Sequence, residues 1–234
     1  MTKRQTTFYC FSPAVMLATF LIEFALAIYV FVRYPITRFG KAAGFALILL
    51  GTFQFAEYRI CTTDGIIPVF WARLGFVVIT LLPAVGLYLV SQLSHKLHFL
   101  KLAYLTAAGF IVYFVFVPKS ITGAICGGNY VIFNAANDFY YLYGIYYWGF
   151  LLLGVWEGME RIANLKRAGK PRRVMRWLVI GYVSFMAPMG AAYLLFPVTR
   201  IAVASIMCGF AITLALILAL KVVPEYNRVH RRFA

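Results

Sequence analysis

Charge is scarce in this chain of 234 residues: 12% of them are Asp, Glu, Lys or Arg, against roughly 25% in an ordinary soluble domain. Acidic residues are scarcest, seven against 22 Lys and Arg. Histidine occurs three times, as His95 and His98 in a predicted inner loop and His230 in the tail. That excludes the seven-helix zinc hydrolases, which need several histidines at metal-ligand positions. Lysine is missing from residues 201–220, which excludes a retinal Schiff base in the last apolar segment. Neither a Gly-rich phosphate loop nor a Gly-x-Ser-x-Gly elbow occurs. No catalytic residue, cofactor or metal centre is expected, and the chain reads as a non-enzyme.

What it has instead is apolar surface. Hydrophobic residues make up 63% of the chain, and mean hydropathy is +0.84. One bilayer crossing uses about 20 helical residues. Seven apolar segments, at 12–32, 42–60, 68–92, 99–117, 138–159, 177–196 and 199–221, therefore take up nearly the whole length. The expected fold is all-α, a single polytopic seven-transmembrane helix bundle over residues 1–234. No room is expected for an attached soluble domain. The first apolar stretch lacks a small-residue cleavage site and is expected to remain as a helix.

The cations sort by loop. Lys3, Arg4, Arg59, Arg73, Lys119 and Arg200 fall on one side, and the remaining sixteen of the 22 on the other. Lys and Arg accumulate in cytoplasmic loops, so the N-terminus is expected outside and the C-terminus inside. The basic balance thus reports topology, and no nucleic-acid partner is expected. The 161–176 loop (RIANLKRAGKPRRVMR) adds contact with anionic headgroups; a docking surface for a cytoplasmic signalling partner is the alternative there.

The outer connections, 60–68 and 118–137, are rich in Gly, Thr and Asn, and each carries one cysteine. Cys61 and Cys126 would both face an oxidising compartment, where a disulfide is expected. Cys10 also falls near the outer surface and competes as a partner. Cys208 reads as a small apolar residue of the last helix. Pro83, Pro188 and Pro197 lie within or at the ends of spans and are expected to kink them.

Ionisable groups at membrane depth are costly and face the bundle interior or water. Glu23 sits mid-way along the first span with no cation at its depth, so a neutral acid that donates a hydrogen bond is expected. Gln54 and Glu57 share a face of the second helix. Trp71 and Arg73 open the third at a similar depth, and Glu57 is expected to pair with Arg73 or Arg59. Tyr140, Tyr143 and Tyr147 form one stripe of the fifth span, and Tyr141 and Trp148 a second, with Asp138 as N-cap. Together these groups outline an outward-facing ligand pocket lined by Gln54, Glu57, Trp71, Arg73, Tyr140, Tyr143 and Tyr147, with Glu23 deeper. Glu157 and Glu160 are expected to pair with the basic loop.

The layout, the FQFAEYRIC end of the second helix and FWARLGFVVITLLPAVGLYLVSQL in the third resemble the seven-transmembrane N-terminal sensory region of bacterial histidine kinases. There a Trp and an Arg open the third helix and a Pro follows about ten residues on; here these are Trp71, Arg73 and Pro83. The local motif covers roughly residues 53–93. The resemblance implies a sensor or receptor module in a bacterial inner membrane. After the last span only KVVPEYNRVHRRFA remains, without phosphoacceptor or ATP lid, so a separate partner is expected to receive the signal. The function expected is a stand-alone receptor-like module that binds a small molecule or lipid. The alternative is a small transporter or channel that uses Glu23.

Overall fold

The computed structural model describes residues 12–62, 68–94, 99–127, 130–135, 137–165, 170–196, 199 and 202–230; the side chains of 68, 137–140, 170 and 230 lie outside the description. Helices α1 (Pro13–Arg33), α2 (Arg38–Thr62), α3 (Pro68–Ser94) and α4 (Leu100–Phe116) come first. Strands β1 (Ile121–Cys126) and β2 (Val131–Ala135) follow, then α5 (Asn137–Asn164), α6 (Lys170–Leu195) and α7 (Val203–Ile217). From α7 the helix runs on through a π-helical turn (Leu218–Val222) into α8 (Val223–His230).

Proline marks many of these boundaries. Pro13 occupies the first turn of α1, where its missing N–H costs nothing. The helix stops at Tyr34, which is extended (φ −119°, ψ 148°) because Pro35 disfavours a helical residue before it. Val117, before Pro118, ends α4 in the same way (φ −92°, ψ 111°). Pro224 cannot donate to the carbonyl of Leu220, and the ladder widens into the π turn just before it, with the Val223 N–H reaching back to Leu218. Pro83 and Pro188 both lie inside continuous helices.

Five helices, α1, α2, α3, α6 and the continuous α7–α8 rod, are long and apolar enough to cross a membrane. Among the other two, α4 is apolar but has only 17 residues, and α5, at 28 residues, has no membrane-length stretch as hydropathic as those of the five. Large apolar side chains point outward along the bundle, among them Val32 on α1, Leu105 and Phe116 on α4, Ile145 on α5 and Leu194 on α6. In water such a surface would aggregate; in a bilayer it is the lipid-facing wall, which makes this a membrane protein.

The bundle is built around α2 and α3, the most deeply buried helices. α1 packs mainly on α2, while α3 touches α2, α4, α5, α6 and β1, and α7 closes the ring against α6, α2 and α1. Small residues permit the close approaches. A side chain at Gly44 or Gly51 would strike the rings of Phe31 and Phe24, so these glycines let α1 lie directly on α2. Gly86 of α3 does the same for the Tyr182 hydroxyl of α6.

One feature departs from the all-α expectation. Within the outer connection the chain forms an antiparallel hairpin, with Cys126 opposite Val131, Ile132 opposite Ile125 and Ile121 opposite Ala135. Its strands pair with each other, and Ile121 and Val131 point fully into the bundle. Strands of six and five residues, several of them β-branched, can make this hairpin only because α2 and α3 cover its inner face.

Gly86→Ala should lower stability by about 1–3 kcal/mol through overpacking against Tyr182. Adding Tyr182→Phe should recover most of that loss. Thermal unfolding in lipid nanodiscs checks both; a Gly86→Ala protein as stable as wild type would show that the contact constrains nothing.

Candidate functional site

The hairpin end of the bundle is covered rather than open. Cys61, at the end of α2, is bonded to Cys126 of β1, with Cα atoms 5.1 Å apart across 65 residues of chain. The hairpin is thereby fixed over the outer end of α2 and α3. Phe133 of β2 packs against Phe53 of α2 at 5.9 Å and edge-on to Phe76 of α3 at 5.2 Å between ring centroids. On the other side the Val131 N–H donates to the Ser205 hydroxyl of α7 at 3.1 Å. The Glu57 carboxyl lies close to that hydroxyl. Hairpin, α2 and α7 thus meet at one serine.

The expected pairing of Glu57 with an arginine is not formed. Glu57 is 1% exposed and turned toward α7. Arg73 instead turns toward α4 and donates to the carbonyls of Pro118 at 2.8 Å and Val115 at 3.5 Å. Those carbonyls end a helix, lack partners within it and carry the negative end of its dipole, so a cation belongs there. Arg59 lies over the Trp71 ring, 5.5 Å from its centroid, and Trp71 meets Phe55 edge-on at 5.6 Å. Both arginines therefore serve the outer rim. Gln54 and Glu23, at 3% and 0% exposure, lie below the hairpin in the packed seam of α1, α2 and α7.

A cleft exists, but one helix further round. A volume of about 600 Å³ opens between α3, α5, α6 and α7. Phe76 and Ile79 form its floor, Tyr141, Tyr143, Gly144, Tyr147 and Trp148 one wall, and Gly190, Tyr193, Val203, Ala204 and Met207 the other. Both tyrosine stripes of α5 contribute, because the cleft is wider than one face of a helix. Tyr143 is held in place: its hydroxyl shares a hydrogen bond of 3.1 Å with Thr80, and its ring sits among Phe76, Phe110 and Phe114 at 5.2–5.6 Å. Tyr146 donates to the Thr80 carbonyl and braces α5 on α3 from the far side. Gly144 and Gly190 face open space, so nothing fills the cleft from its own walls.

The pocket outlined from sequence thus divides into two. Tyr143 and Tyr147 line the cleft; Gln54, Glu57 and Glu23 belong to the packed seam; Trp71 and Arg73 belong to the rim. The side chains of Tyr140 and Asp138, and Cys10, fall outside the described residues. Sequence reading missed Ser205, Thr80 and the small residues Gly144, Gly190 and Ala204. The glycine in YLYGIYYWGF, between two aromatic stripes, was the available signal for open space. Among the described residues no group of three or more His, Cys, Asp or Glu side chains gathers as a metal site.

At the inner end, Glu225 of α8 holds Arg173 of α6 at 3.2 Å and Arg228 at 3.3 Å. Tyr226 stacks on Phe39 of α2 at 4.2 Å and 16°. The last helix is thereby docked on the beginnings of α6 and α2.

Ser205→Ala leaves the buried Val131 N–H without its acceptor and should cost about 1–3 kcal/mol. Amide exchange at Val131 should accelerate with it; exchange unchanged from wild type would show that the hairpin is held without this bond. Compared with known protein families and with curated proteins, the chain matches none.

Proposed function

We propose that the protein is a receptor-like membrane sensor that takes an apolar or amphiphilic molecule into the cleft between α3, α5, α6 and α7. The observation that carries this reading is the cleft itself: about 600 Å³, walled by aromatic and aliphatic side chains and left empty by Gly144 and Gly190. Ligand sites of roughly 300–1,000 Å³ with such walls and a few polar groups bind small molecules with high burial. The cleft supplies phenol groups at Tyr141, Tyr143, Tyr147 and Tyr193 and the indole of Trp148, which suits a ligand with flat or chain-like apolar parts and few polar atoms. Its rim includes Ile145 and Leu194, which point toward lipid, so entry from within the bilayer is open.

The same reading takes all seven helices as spans, with the N-terminus outside and the C-terminus in the cytoplasm. Supporting it are the concentration of cations at one end and the disulfide at the other. Transmission runs through α6. Pro188, two residues from Gly190, withdraws the N–H that would reach the Ser184 carbonyl and leaves the helix easier to bend there. The inner end of that helix carries Arg173, tied to Glu225. A ligand that favours one packing of α6 over the other would alter the basic face offered to a cytoplasmic partner. The resemblance to kinase sensory regions agrees with this arrangement.

Two measurements test it. Gly144→Trp and Ala204→Trp, which fill the cleft, should reduce the molecules retained on the nanodisc-embedded protein in native mass spectrometry by about tenfold, equivalent to roughly 1.4 kcal/mol. Retention equal to wild type would remove the cleft from the function. For topology, Ser12→Cys should react with a membrane-impermeant maleimide on intact cells and Arg228→Cys only after permeabilisation; the reverse pattern would invert the orientation.

A further inference from the structure

The seam of α1, α2 and α7 contains polar atoms that nothing in the fold satisfies. Both carboxyl oxygens of Glu23, Oε1 of Glu57 and Nε2 of Gln54 are buried without a hydrogen-bond partner. All three side chains are more than nine-tenths buried, at 0%, 1% and 3% exposure. Native interiors leave few such atoms unpaired, and those that are unpaired mark water, an ion or a functional group.

Their placement is specific. Glu23 reaches α2 at Gly51, where its Cβ is 3.5 Å from the position a side chain would occupy. Gln54 and Glu57 follow at one and two turns along the same helix. Across the seam α7 presents Ser205 to Glu57 and the Cys208 thiol within electrostatic reach of both carboxyls. The cations nearest in sequence have other partners, Arg59 on Trp71 and Arg73 on the end of α4. From the hairpin only the Val131 backbone enters this set, through Ser205.

The mixture of unpaired groups identifies the occupant. Carboxyl oxygens beside an amide N–H call for a neighbour that can both donate and accept. Water does both jobs, accepting from the amide and donating to a carboxyl. Charge decides the rest: two ionised carboxyls with no cation between them cannot persist at this depth. We propose that Glu23, Gln54 and Glu57 form a buried proton-exchange site in which water bridges the two carboxyls. Uptake breaks one O–H bond of a hydronium ion from the outer solution and forms one O–H bond on a carboxylate oxygen, leaving water; release reverses it. Exchange with the outer solution proceeds past Ser205, beneath the hairpin. None of the three side chains lines the cleft, and proton exchange here needs no ligand bound there.

Infrared spectroscopy of the full chain in lipid vesicles tests this through the C=O stretch of protonated carboxyl groups. The wild-type band should shift on transfer to D2O. Glu23→Gln and Glu57→Gln should each remove part of its intensity, and the double variant both parts. Gln54→Leu should move the band without reducing it, because it alters the water and not the acids, and this keeps the test informative if a Glu variant folds poorly. A band that fails to shift in D2O, or one that both Glu variants leave at wild-type intensity, would overturn the proposal.

Discussion

The hydrocarbon interior of a bilayer offers no hydrogen bond, so every polar group placed there must find its partner inside the protein. The architecture follows from that constraint. Backbone groups are satisfied within helices, and the one pair of strands pairs with itself at the outer end. Large apolar side chains face outward, while Glu23, Gln54, Glu57 and Ser205 gather where α1, α2 and α7 meet. Arg73 shows the same pressure at the rim, donating to carbonyls left over at the end of α4 rather than to the carboxylate one helix away. A short helix that ends near the interface needs such a donor.

Closure of the outer end comes from several weak devices acting together. A disulfide fixes β1 to α2, Phe133 wedges between Phe53 and Phe76, and Val131 reaches α7. None of them alone would order an isolated two-stranded hairpin. Because the strands roof the seam, the opening on the outer half is displaced sideways to the gap beside α5. The cleft opens sideways beside α5, with Ile145 and Leu194 exposed at its rim.

Much of the helical framework was legible in the sequence, since long apolar runs bounded by proline and charge have few other solutions in a membrane. All seven apolar segments are helices, and the 61–126 cysteine pair is bonded. The site was less legible. Glu57 and Arg73 lie at similar depth on adjacent helices, which made an ion pair the natural expectation. Depth, however, does not fix the direction in which a side chain leaves its helix, and the two leave toward opposite neighbours. Of the expected α5 tyrosines, Tyr143 and Tyr147 line the cleft, but the opposite wall comes from Gly190, Val203, Ala204 and Met207, whose small or plain side chains carry no chemical signal. The hairpin was hidden because its stability depends on α2 and α3 beneath it, a long-range contact absent from local pattern.

Seam and cleft are not independent in space. Tyr147 and Met207 line the cleft, and with Cys208 they also line an enclosed void of about 30 Å³ between α2, α3, α5, α6 and α7. Cys208 in turn lies beside the carboxyls of Glu57 and Glu23. One turn of α7, from Ser205 to Cys208, therefore touches the hairpin, the polar seam and the back of the cleft. A molecule that pressed Met207 inward would meet slack in the void rather than rigid packing, and the displacement would pass along α7 to Ser205. The same helix continues through the π turn to Glu225, which holds the inner ends of α6 and α8 together. This part of α7 therefore borders open space on two sides, and the continuation of the same helix is tied to α6 through Glu225 and Arg173.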